Sequence, residues 1–162
     1  MPSATLLRQT CVLALAACAL SACWTPHYDA LLAPKISGAL FDGTVPLRQE
    51  YVILSTSAYQ PFVQSAAGNC RSVTTITKTD DAGNFEFQAV EEHVTLDRDY
   101  PPGAYWSVCL ERDGVRRPIL SQLGRIGEVP RSLHVRCNLA DAAETTIEAS
   151  SPVTGLCKLQ QP

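Results

Sequence analysis

Charge is scarce in this chain. Its 162 residues carry 13 Lys and Arg against 16 Asp and Glu, a net of −3, which gives no electrostatic footprint for nucleic acid. Catalytic signatures are missing as well. There is no H-E-x-x-H, no G-x-S-x-G and no Gly-rich phosphate loop, so catalysis by Ser, Cys or a bound metal has no support and the chain is read as a non-enzyme without a cofactor. No C-x-x-C pair occurs, which argues against a four-cysteine zinc site. Sustained 3.6-residue periodicity is absent too, and with it the case for a helical domain. Long apolar runs are limited to one, from about Cys11 to Ala22. That run is shorter than the roughly 20 residues a spanning helix needs.

The run has an informative setting. Arg8 is the only charge before Asp29, and a positive start, a short apolar stretch and then small residues make a secretory leader. Leu20-Ser21-Ala22-Cys23 resembles the bacterial lipobox, an aliphatic residue and two small residues before a cysteine. The resemblance implies cleavage before Cys23 and lipid attachment to its thiol and new N-terminus. Leu15-Ala16-Ala17-Cys18 fits the same pattern, but it leaves only about seven apolar residues after Thr10, the lower end of the leader range. Cys23 is therefore preferred. Buried acyl methylenes contribute about 0.8 kcal/mol each, so three chains anchor stably. Trp24 stands where an Asp would favour inner-membrane retention, which implies the outer membrane, facing the periplasm. The division is then residues 1–22 as leader, 23–33 as lipidated tether, 34–139 as a folded domain and 140–162 as a tail.

The chain holds seven cysteines. Cys11 and Cys18 leave with the leader and Cys23 carries lipid. Cys70, Cys109, Cys137 and Cys157 remain, an even number in an oxidising compartment, and two disulfides follow. Strand parity narrows the pairing. Cys137 shares its face with Leu133, Val135 and Leu139, so it points inward. Cys109 has opposite parity to Trp106, Val108 and Leu110, so it points outward. A 109–137 bond would have to cross faces. Two pairings survive, 70–109 with 137–157 or 70–137 with 109–157. The first is preferred, because Cys157 then pins a tail with little to bury.

Short strands separated by turns fill the rest. They are expected at Lys35–Phe41, Tyr51–Ser57, Arg71–Thr79, around Phe85 and Phe87, at Val94 and Leu96, at Ala104–Arg112 and at Leu133–Leu139, with turns at Asp42-Gly43, at 80–84 and at Asp113-Gly114. This pattern predicts an antiparallel β-sandwich.

Two segments sharpen the prediction. "ISGALFDGTVPL" (Ile36 to Leu47) followed by "YVILSTS", and "TKTDDAGNFEF" (Thr77 to Phe87), resemble the two motifs of carboxypeptidase-regulatory-like domains. The resemblance covers Ile36 to Val90 and implies a transthyretin-like Greek-key sandwich of about seven strands. It implies no single activity, because this domain type accompanies many. Transthyretin-like hydrolases end in Y-R-G-S, whereas this chain ends "CKLQQP", so that activity is not expected.

Candidate ligand contacts are Tyr100, Tyr105 and Trp106 in "YPPGAYW", since ring faces stack on sugars; the competing reading places Trp106 in the core. Arg112, Arg116 and Arg117 flank the Asp113-Gly114 turn and face either solvent or an anionic partner. "TDDAGN" is read as a turn rather than a calcium loop, because EF-hand spacing is missing. His27, His93 and His134 are scattered and read as surface residues. The functional expectation is a membrane-anchored periplasmic lipoprotein that binds or scaffolds other envelope proteins, its partners being the membrane through the anchor and those proteins. Alternatives are an inhibitor or immunity lipoprotein and a carbohydrate-binding module.

Overall fold

The computed structural model describes residues 27–59, 70, 72–95, 103–141, 145–147 and 153–160. Among these residues there is no helix. The strands are β1 (His27–Ala33), β2 (Lys35–Asp42), β3 (Val45–Pro46), β4 (Tyr51–Tyr59), β5 (Thr75–Lys78), β6 (Asn84–Phe87), β7 (Val90–Thr95), β8 (Gly103–Arg112), β9 (Val115–Arg125), β10 (Ser132–Asn138), β11 (Thr145–Ile147), β12 (Val153–Gly155) and β13 (Cys157–Leu159). Cys23 and the expected leader, residues 1–22, lie outside the described residues.

One sheet runs β5-β4-β8-β9-β12-β11. A second runs β13-β10-β2, and the free edge of β2 is shared by β6 along Ile36–Ala39 and by β3 at Phe41–Asp42. A third, two-stranded ribbon joins β1 and β7. All pairings are antiparallel except β2 with β10, which run side by side from Lys35↔Ser132 to Phe41↔Asn138.

The layers meet because each strand alternates. Ile36 and Leu40 of β2, Phe85 and Phe87 of β6, and Leu133, Val135 and Cys137 of β10 are buried, while His134 and Arg136 between them are exposed. From the other sheet Val52, Leu54, Trp106, Val108 and Leu120 join the same core cluster. Two-residue spacing puts every second side chain on one face, so two such sheets stacked face to face give a sandwich core. The "TDDAGN" segment is a turn. The Asp80 carboxylate accepts hydrogen bonds from the amides of Ala82 (2.9 Å) and Asn84 (2.8 Å) and from Asn84 Nδ2 (3.0 Å). Gly83 has φ 81°, and a Cβ there would lie 2.5 Å from the Leu40 carbonyl oxygen, so only glycine fits.

Several expectations need correction. Residues 27–33 of the expected tether form β1, and Ala30, Leu32 and Ala33 are buried in the main core. Their apolar side chains gain more from burial than an extended linker would allow. The segment from 115 to 125 has no expected strand, yet it is β9, eleven residues long. The tail is not a separate appendage: β12 joins the first sheet beside β9, and β13 joins the second beside β10. Of the strand expected at Arg71–Thr79, the described part is strand only at Thr75–Lys78, and Arg71 lies outside the described residues. That expected at Val94 runs Val90–Thr95, and Leu96 lies outside the described residues.

Candidate binding cleft

Strand β8 positions most of the predicted site residues. Eight consecutive residues, Gly103 to Leu110, are buried, so both faces of this strand are covered. Ala104, Trp106, Val108 and Leu110 face the interlayer core. Trp106 is 0 % exposed, and its Nε1–H donates to Gln122 Oε1 at 2.8 Å. A ring in that position offers no face to a sugar, so its assignment as a ligand contact is corrected: the indole is core, with its polar edge satisfied by a buried amide. Tyr105, on the opposite face, is 9 % exposed. Burial pushes its phenol above the ordinary tyrosine range, and hydrogen bonds with Ser107 and Ser121 partly offset that. Tyr100 lies outside the described residues.

The cysteines pair as Cys70–Cys109 and Cys137–Cys157, the first of the two arrangements that parity left open. Cys109 and Cys70 form a small cluster with Ile53 on the outer face of the first sheet, whereas Cys137 and Cys157 lie in the main core. The second bond joins directly opposed residues of β10 and β13.

The two histidines whose side chains are described, His93 and His134, do not converge. His93 Nδ1 meets Asp29 at 3.0 Å on the β1–β7 ribbon. His134 Nδ1 lies 2.5 Å from the Ser37 hydroxyl. The Ser37–His134 pair has no catalytic arrangement. Ser37 pairs laterally with His134 on one side and Glu86 on the other, so the order is acid–Ser–His, not Ser–His–acid. The Glu86 carboxylate is instead held below its ordinary range, first by a hydrogen bond and charge from Lys35 and then by Gln88. Among the described residues no group of three or more His, Cys, Asp or Glu side chains is placed to hold a metal.

A different place has the shape of a site. A cavity of about 400 Å³ lies where the β8–β9 hairpin faces Leu139 and Leu156. Register explains its lining. Leu110 pairs with Arg117 and Arg112 with Val115, so these four side chains point to the core side beyond the packed interior. The pairing slips at Val108/Cys109, which leaves Ile119 unpaired between Pro118 and Leu120. Pro118 cannot donate to the ladder, and a bulge is where a strand tolerates it. The bulge leaves the Ile119 carbonyl to accept the Leu156 amide at 2.8 Å, which docks the tail as one cavity wall.

The charges at the rim differ in their engagement. Arg112 reaches Asp42 at 3.9 Å and Glu50 at 3.7 Å, and Arg116 is bound to Glu111 at 2.6 Å. Arg117 has no ion-pair partner among the described residues, and neither does Asp113 at the turn. Sequence reasoning named the arginines but not the cavity. Its apolar walls come from residues far apart in the chain, so no local pattern marks it.

No family model matches this chain, and no curated protein matches it in sequence.

Proposed function

We propose that this chain is a membrane-anchored envelope lipoprotein, held through Cys23 on the periplasmic side of the outer membrane, whose transthyretin-like sandwich acts by binding. The observation that carries the binding part is the hairpin-end cavity, with aliphatic walls and, at its rim, the Arg117 guanidinium, which has no carboxylate partner among the described residues. Its volume falls in the ordinary range for ligand pockets, and so does its composition, mostly apolar with a few placed polar groups. The two disulfides support an oxidising compartment, because such bonds persist outside the cytosol. The fold part of the proposal is supported at the coarser level, by two main sheets that share one core.

The carbohydrate-binding alternative loses support, since its tryptophan is core. The proposal is tested by placing a photo-crosslinking amino acid at Val115, 52 % exposed on the cavity rim, and in parallel at Leu123, 58 % exposed on β9. The anchored protein is then illuminated in intact cells. A dominant adduct from position 115 that position 123 does not give is the expected result. Equal or absent adducts from both positions would contradict a binding role for this end.

A further inference from the structure

We propose that the hairpin-end cavity takes the apolar tail of a single-chain carboxylate amphiphile, a fatty carboxylate, with Arg117 as the head-group contact. The inference rests on the binding reading above and names its ligand class.

Three observations lead to it. The walls are aliphatic: Leu110, Val115, Ile119, Leu139 and Leu156 line the space. The volume is that of a short chain. At about 30 Å³ of liquid volume per small unit, 400 Å³ accommodates roughly a dozen non-hydrogen atoms. The charge is selective. Of the three arginines at this hairpin, two are held by carboxylates of the protein, while Arg117 lines the cavity with no carboxylate of its own among the described residues. A guanidinium presents its donors in a fork that matches a carboxylate in two-point fashion. An apolar tail beside such a head completes both halves of the lining at once. Asp113 also lines the cavity and acts against an anion, so its neutralisation should strengthen binding where loss of Arg117 weakens it.

The test uses the full chain in phosphatidylcholine nanodiscs and a decanoate carrying a diazirine near the end of its tail. After illumination, adducts are mapped by mass spectrometry, and unlabelled competitors are compared at measured free concentrations. The expected result is labelling of the segments bearing Val115, Leu139 and Leu156. Competition should tighten roughly two- to fourfold per methylene from hexanoate to decanoate. Arg117→Gln should weaken decanoate about tenfold and leave neutral decanol unchanged, Asp113→Asn should tighten decanoate, and Arg116→Gln, whose arginine is outside the cavity, should behave as wild type. Retention of both disulfides and of the melting temperature shows that the variants are folded. Adducts scattered over the surface, or decanol competing as well as decanoate, would overturn the proposal. Neither result would remove the rim adduct from position 115, which tests the binding reading separately.

Discussion

Replacing Gly38 by alanine tests the close strand packing within the second sheet more directly than any truncation. Gly38 sits in the middle of β2, between β10 and β6, opposite Val135 and Phe85. Its backbone is ordinary extended strand, so an added methyl group incurs no dihedral penalty and the whole effect is steric. A Cβ built there lies 2.7 Å from the Val135 carbonyl oxygen, 2.8 Å from Val135 Cγ2 and 2.9 Å from Phe85 Cζ. The Phe85 ring can turn aside, but the Val135 oxygen belongs to the parallel ladder and moves only with β10. Overpacking of this kind costs about 1–3 kcal/mol, and with backbone as one of the obstacles the upper half of that range is expected. At roughly 4 °C per kcal/mol for a domain of this size, the melting temperature should fall by about 8–12 °C. Thermal unfolding followed by far-UV circular dichroism, without reductant, measures it. Gly43→Ala is the control. Gly43 has φ 63° with nothing within 4 Å of its Cβ, so it loses only the left-handed preference, about 1–2 kcal/mol, and Gly43→Asn should recover part of that. An unchanged melting temperature for Gly38→Ala would refute the close approach of β2, β10 and β6 on which the core rests.

Two further outcomes follow from other parts of the molecule. The disulfides close segments with sequence separations of 39 and 20, which in the chain-entropy view contribute roughly 4 and 3 kcal/mol. Paired Cys→Ala replacement should therefore cost more at Cys70–Cys109 than at Cys137–Cys157, as read from unfolding free energies fitted to urea curves with the slope of each variant measured. Asp80 is held below the ordinary carboxyl range, first by the Asn84 side chain and then by the turn amides of Asn84, Ala82 and Gly83. A depressed folded-state pKa adds stability above the unfolded value of 3.8 and loses it as pH falls through the folded value. Asp80→Asn should accordingly flatten the decline of melting temperature below about pH 4, and an acid profile identical to wild type would show that the turn does not hold the charge.

Much of the sandwich is legible in the sequence because its central strands are long enough to show alternation. In "LHVRC" every second side chain is apolar, and Leu133, Val135 and Cys137 are buried as that spacing requires. The same parity separated Cys109 from Cys137 and removed one of the three ways to pair four cysteines. Strand β9 is not legible, because Arg116, Arg117 and Pro118 break the pattern where the strand bulges. Strands β12 and β13 are three residues each, and Val153 and Cys157 are the one buried residue in each, too few to reveal a period. Their positions come from partners on β9 and β10, about 20–35 residues away. Strand β1 reads as linker because it follows the lipobox-like residues 20–23 closely, yet Ala30 and Leu32 alternate with Asp29 and Leu31 as a strand should. Trp106 was ambiguous between ligand contact and core, and only its position opposite Gln122 decides it. The cleft joins residues from 110 to 156 and depends on a bulge, and such long-range geometry leaves no local signature.

The central claim, an anchored protein whose fold is closed by oxidised cysteines, is met most directly by mass spectrometry of the mature chain isolated from cells without reductant. The account predicts an N-terminal peptide that begins at a lipid-modified Cys23, together with linked peptides joining Cys70 to Cys109 and Cys137 to Cys157. A chain that still begins at Met1, with these four thiols free, would contradict it.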